Sequence, residues 1–153
     1  MKPKFLYNYF TDDELLRISS KIKNAERQTS GEIAVSIREY RKILEKKKSL
    51  RELAEKEFLR LEINKTKQGT GVLIFLLLSD RQFYILADDN INKITGEKVW
   101  TEIKDIMQEK FVCGEFCKGI LYGIDEIGKI LVQHFPLRPD DTNEISDRVV
   151  IQK

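Results

Sequence analysis

GTGVLIFLLLSDRQFYILADD, residues 69 to 89, decides the architecture. Val72 to Leu78 is an unbroken apolar run that stops at Ser79-Asp80-Arg81, and Gln82 to Asp88 is a second apolar segment. Each is short, rich in β-branched or aromatic residues and bounded by turn formers, which reads as strand rather than helix. A run without polar alternation must be covered on both faces, so it belongs in the middle of a sheet layered with helices. The connection Ser79-Asp80-Arg81-Gln82 is too short for a crossover, so the two strands form an antiparallel hairpin. A hairpin brings its outer ends together, which places Gly69-Thr70-Gly71 beside Asp88-Asp89.

Upstream of the hairpin, Thr11-Asp12-Asp13-Glu14 has the form of a capping box. Leu15, Ile18, Ile22 and Ala25 follow at helical spacing, predicting a helix over about 12–28. Ile33, Val35 and Ile37 then mark a first strand, with Glu32 at its start. Arg38 to Lys48 is dense in charge and reads as a solvated turn leading to a helix, rather than as a phosphate site. Leu50, Leu53, Ala54, Phe58 and Leu61 define that second amphipathic helix. Strand, helix, strand is a βαβ unit, so the first strand runs parallel to the second. Parallel strands begin on one side of a sheet, so Glu32, Gly71 and Asp88 share a rim while Asp80 lies at the opposite one.

Downstream, Asn90-Ile91-Asn92 leads into a helix over about 97–111 carrying Trp100, Ile103 and Met107. Gly114 breaks the chain, and a longer apolar helix over about 116–133 contains Gly119 and Gly123, spaced for close packing on the sheet. Pro136 ends it. The expected fold is an α/β class, three-layer α/β/α sandwich. Its small mixed sheet combines a parallel βαβ unit with an antiparallel hairpin, flanked by about four helices. Residues 137–153 form a tail ending in Val149-Val150-Ile151, the pattern of an edge strand.

The chain is 153 residues long, enough for one domain with its own core. Its 27 basic and 25 acidic residues leave a formal charge of +2, which points to neither nucleic acid nor a membrane surface as partner. Cys113 and Cys117 have no further Cys or suitably placed His to complete a zinc set, so they read as two reduced thiols. The amino-terminal segment lacks the apolar stretch of a signal peptide, and the expectation is a cytoplasmic protein.

Glu32, Asp88 and Asp89 form the candidate metal site. Like charges held close raise one another's pKa unless a cation or proton neutralises them, and hard oxygen ligands suit calcium or magnesium. Asp88, Asn90 and Asn92 reproduce the first spacings of a calcium loop. Lys93 and Val99 then occupy the positions that demand glycine and glutamate, so the segment is not an EF-hand. No catalytic residue emerges: there is no nucleophile elbow, and His134 sits at a helix end where the dipole accounts for it. A phosphate cradle would have to precede a helix, whereas Gly69-Thr70-Gly71 precedes a strand.

Thr29-Ser30-Gly31-Glu32-Ile33, Gly71-Val72-Leu73-Ile74, Ile85 to Ile91, and Gly114-Glu115-Phe116 with Gly119 together resemble the TPM domain, the fold of thylakoid lumen acid-phosphatase-like proteins and their bacterial relatives. The likeness covers about Thr11 to Pro136 and is greatest to the small stand-alone bacterial branch. There the third strand is followed by Gly-Asp-x-Gly-Ile; here Ala87-Asp88-Asp89-Asn90-Ile91 keeps the aspartate and isoleucine but neither glycine. His134-Phe135-Pro136, Asn143-Glu144 and Asp147 also resemble that branch. The resemblance implies a domain over 1–136 and divalent-cation binding in a crevice at one sheet edge, with Glu32 and Asp88 on the family's acidic positions. Asp89 stands at a variable place and rests on the strand geometry alone. The expected function is a calcium- or magnesium-binding module with a partner-binding or regulatory role. The alternatives are a metal-dependent acid phosphatase, an activity associated with plant members, and an interaction domain without a ligand.

Overall fold

The computed structural model describes residues 5–66, 68–137 and 149–152. The chain runs α1 (Asp12–Glu26), β1 (Glu32–Arg38), α2 (Leu50–Arg60), β2 (Gly71–Leu77), β3 (Gln82–Ala87), α3 (Asp89–Thr95), α4 (Glu97–Val112), α5 (Phe116–His134) and β4 (Val149–Gln152), with short 3-10 turns between. The four strands form one sheet in the order β3-β2-β1-β4. β1 is parallel to β2 and to β4, while β2 and β3 are antiparallel. The mixed α/β sheet expected from the sequence is therefore present, with β4 on its outer edge.

Every residue of β2 is buried, and its side chains divide by parity. Val72, Ile74 and Leu76 join a large core with residues of α1, α4 and α5. Leu73, Phe75 and Leu77 join a smaller one with Leu53, Ala54 and Phe58 of α2. Burying each Leu or Ile stabilises by about 1.5–3 kcal/mol, so a strand apolar on both faces is held only between two helical layers. The three-layer sandwich follows from that requirement. α1 starts with the full capping box: the Glu14 N–H donates to Thr11 Oγ1 at 3.1 Å, and the Thr11 N–H donates to Glu14 Oε1 at 3.0 Å.

Three readings of the sequence change. Asn90 and Asn92 lie inside α3, a seven-residue helix, and not in a loop. The spacing that imitates a calcium loop is thus wound into helical backbone. Gly119 and Gly123 face α4 more closely than the sheet: a Cβ on Gly119 would fall 2.5 Å from Phe111, and one on Gly123 2.7 Å from Met107 Sδ. Arg38, Glu39 and Glu45, expected in a solvated turn, are each at most 3% exposed. Charge density along the sequence does not reveal that Arg38 and Glu45 pair in space, nor that the Glu39 carboxylate takes up the Leu6 N–H. Asn143-Glu144 and Asp147 lie outside the described residues. Among the described residues no helix is long and apolar enough to cross a membrane.

Candidate functional site

The rim where β1 and β2 begin and β3 ends is built by register. Glu32 pairs with Gly71 in the parallel ladder. On the other side of Gly71, the Asp88 N–H donates to Gly71 O at 2.9 Å, and the Gly71 N–H donates to Asp88 Oδ2 at 3.1 Å. Glu32, Gly71 and Asp88 thus stand abreast on three neighbouring strands. Laterally paired residues project to the same face of a sheet. That face is the one covered by α2, because Ala34 and Leu73, two residues further along their strands, belong to the α2 core. A Cβ on Gly71 would lie 3.5 Å from Asp88 Oδ2 and 2.3 Å from Ile63 Cγ2. Glycine is needed here because Ile63, through its Cγ2 and its carbonyl, packs directly over Gly71 in the row between Glu32 and Asp88.

The electrostatics of the two acids differ. Glu32 is buried, at 3% exposed. Asp88 is half-buried, and burial pushes its carboxyl above the usual range; the Gly71 N–H opposes this, while the charge of Asp89 adds to it. Thr70, fully buried on the same rim, has a hydroxyl without a hydrogen-bond partner among the described residues. The two carboxylates are hard donors, and no hydrogen bond to Asp88 fully compensates its charge, which fits a hard cation. They do not make a closed cage. Among the described residues, no three His, Cys, Asp or Glu side chains stand close enough to hold a metal together.

Asp89 is exposed in the first turn of α3, and it lines a groove on the outer side of β3 together with Trp100 and Lys104. The two asparagines brace the rim instead of facing into it. Asn90 Nδ2 donates to Gln68 O, and Asn92 Nδ2 donates to Ala87 O at 3.1 Å. Asp80 lies at the opposite rim, where it accepts from Arg41 Nε at 2.7 Å.

A second set of polar groups escapes sequence reasoning. Glu57 of α2 is buried, accepts from the Ser36 hydroxyl of β1, and accepts from Arg60 Nε at 2.7 Å. Burial alone would raise its carboxyl, but Arg60 and Ser36 outweigh it and hold Glu57 below the usual range. One signal was available: Glu57 interrupts the apolar face between Leu53 and Phe58. At the far end of β1, Arg38 pairs with Glu45, and Glu39 Oε2 accepts from the Leu6 N–H at 2.7 Å.

Comparison with known proteins bears on family and fold. A family model described as the TPM domain matches residues 6–130. No curated protein matches the chain. The NMR structure of the BA42 protein from the psychrophilic bacterium Bizionia argentinensis superposes with a TM-score of 0.83 at 30% identity, covering 94% of this chain and 95% of that one. With the matched segment spanning all of α1 to α5 except the last turn, the chain belongs to the TPM domain family.

Proposed function

We propose that this chain is a divalent-cation-binding module. Its rim of Glu32, Gly71 and Asp88 takes calcium or magnesium, and the bound ion serves a regulatory or partner-binding role. The observation that carries the reading is the row itself: two acids on one sheet face, separated by a residue without a side chain. Asp88 is held where ionisation is disfavoured, so a cation there relieves a cost already present in the fold. Asp89 adds negative potential from α3. Two carboxylates with neutral oxygens suit an ion that keeps part of its water shell, as magnesium commonly does, and imply modest affinity.

The test is an amide NMR titration with calcium and, separately, magnesium. The expected result is saturable shifts at Glu32, Gly71 and Asp88 to Asn90, abolished in Asp88→Asn. Unchanged shifts at those amides up to millimolar ion would refute the proposal, as would an undiminished response in the variant.

A further inference from the structure

At the opposite rim, where β1 and β2 end, a cavity of about 480 Å³ opens between the hairpin and the α4–α5 corner. Its size is within the range of small-molecule sites, and the ends of parallel strands are where open α/β sheets commonly bind ligands. The rings of Tyr9, Phe83, Phe111 and Phe116 line it. They are mutually fixed: Phe83 meets Phe111 edge-on at 5.0 Å between centroids, and Tyr9 meets Phe116 edge-on at 4.8 Å. The apolar lining is therefore preformed.

Among the described residues Arg81 is the only charged one lining this cavity, and no carboxylate lines it. Its backbone is left-handed at φ 53°, held by its N–H donating to Leu78 O at 3.1 Å. A non-glycine residue in that conformation requires support from its surroundings. The support is local: the Ser79 N–H donates to Glu39 O at 2.9 Å, and the neighbouring Asp80 carboxylate is bound by Arg41. The turn's own acid is thus committed elsewhere. Among the described residues the Arg81 guanidinium has no hydrogen bond or ion pair. Gln108 adds an amide to the lining.

We propose that this cavity binds a small amphipathic anion, an aromatic or aliphatic carboxylate whose apolar body sits among the four rings and whose head pairs with Arg81. An apolar cavity with a single unmatched cation discriminates for charge, since a guanidinium pairs with a carboxylate through parallel hydrogen bonds. The site is independent of the acidic rim at the other end of the sheet.

The probes are 1-naphthaleneacetate and its neutral isostere 1-naphthaleneacetamide, followed by amide NMR titration of the full chain. The carboxylate should shift Phe83, Gln108 and Gly114 and bind about tenfold or more tightly than the amide. Arg81→Asn, a residue that tolerates left-handed backbone, should bring the carboxylate down to the affinity of the neutral compound. Arg81→Lys should retain most of the preference. Equal affinity of the two probes for the unaltered protein, shifts mapping away from the cavity, or a preference that survives Arg81→Asn would each overturn the assignment.

Discussion

Asp88 is placed under two opposed demands. Its carboxylate accepts the Gly71 N–H and so helps close the end of the β2–β3 ladder, yet burial and the neighbouring Asp89 both disfavour its charge. A carboxyl whose pKa is higher in the folded than in the unfolded chain binds its proton more tightly in the native state. Stability then falls as pH rises from the unfolded pKa through the folded one, and the cost is fully present at neutral pH. Asp88→Asn removes that cost while its amide oxygen can still accept from Gly71. In chelator at neutral pH the variant should be more stable in urea by a few tenths of a kcal/mol, the small size reflecting solvent screening of a half-exposed group. The two proteins should converge below about pH 3, where the aspartate is protonated in both states. With calcium at tenfold its Kd, the unaltered protein should gain about 1.4 kcal/mol and the variant nothing. A variant less stable than the parent in chelator would contradict the assigned sign of the shift.

At the scale of elements, β1 is pinned at its far end by buried charge. Burial alone would raise the Glu45 carboxyl, but the Lys42 N–H and the Arg38 guanidinium outweigh it and hold it below its usual value. Replacing Arg38 by Met leaves Glu45 buried without its main counter-charge, a loss of about 3 kcal/mol in urea unfolding. The estimate is at the low end for a broken buried pair because Lys56 Nζ remains 3.8 Å from Glu45. The double variant Arg38→Met with Glu45→Leu should recover most of the loss. Glu45 and Glu57 both have depressed folded pKa values. Their stabilisation is present above the unfolded carboxyl pKa and lost as pH falls through the folded one, so acid unfolding of the double variant should be less steep than that of the parent. A single variant as stable as the parent would show that the pair contributes nothing. This network was hidden in the sequence for a definite reason. Arg38, Glu39 and Glu45 sit in a run of charges that locally looks like a solvated turn, and only the approach of α2 and of the segment around Leu6 buries them. The β2–β3 hairpin, by contrast, was legible because an all-apolar run admits few placements. α3 was not, since seven residues are too few to display a helical period.

For the whole molecule, strand direction was the property on which the candidate site depended, and it could be read from the lengths of two connections. The 32-residue span from β1 to β2 permits a parallel crossover, whereas the short turn between β2 and β3 does not. Those two facts put Glu32, Gly71 and Asp88 on one rim; how far their side chains approach depends on packing around Ile63, which no local pattern encodes. The same sheet gives β4 a distinct role. β1 is buried along its full length, so its outer edge needs a partner. The Glu32 N–H donates to Thr70 O on the β2 side, and the Glu39 N–H donates to Gln152 O on the β4 side. Backbone groups alternate sides along a strand, which assigns the Val35 and Ile37 amides to β4 and those of Ala34, Ser36 and Arg38 to β2. Beyond the reach of β4, the Ile33 N–H donates instead to Glu26 Oε2 at 2.8 Å. A chain stopped before Val149 should therefore lose on the order of 2 kcal/mol, for two half-buried valines and a short ladder. In hydrogen exchange, protection should fall at Val35, Ile37 and Glu39 but persist at Ala34, Ser36 and Arg38, with Ile33 unaffected. Uniform loss of protection along β1 would mean that β4 supports the sheet globally instead of closing one edge. A cation response that persists in the shortened chain would place β4 outside the acidic rim, as the register requires.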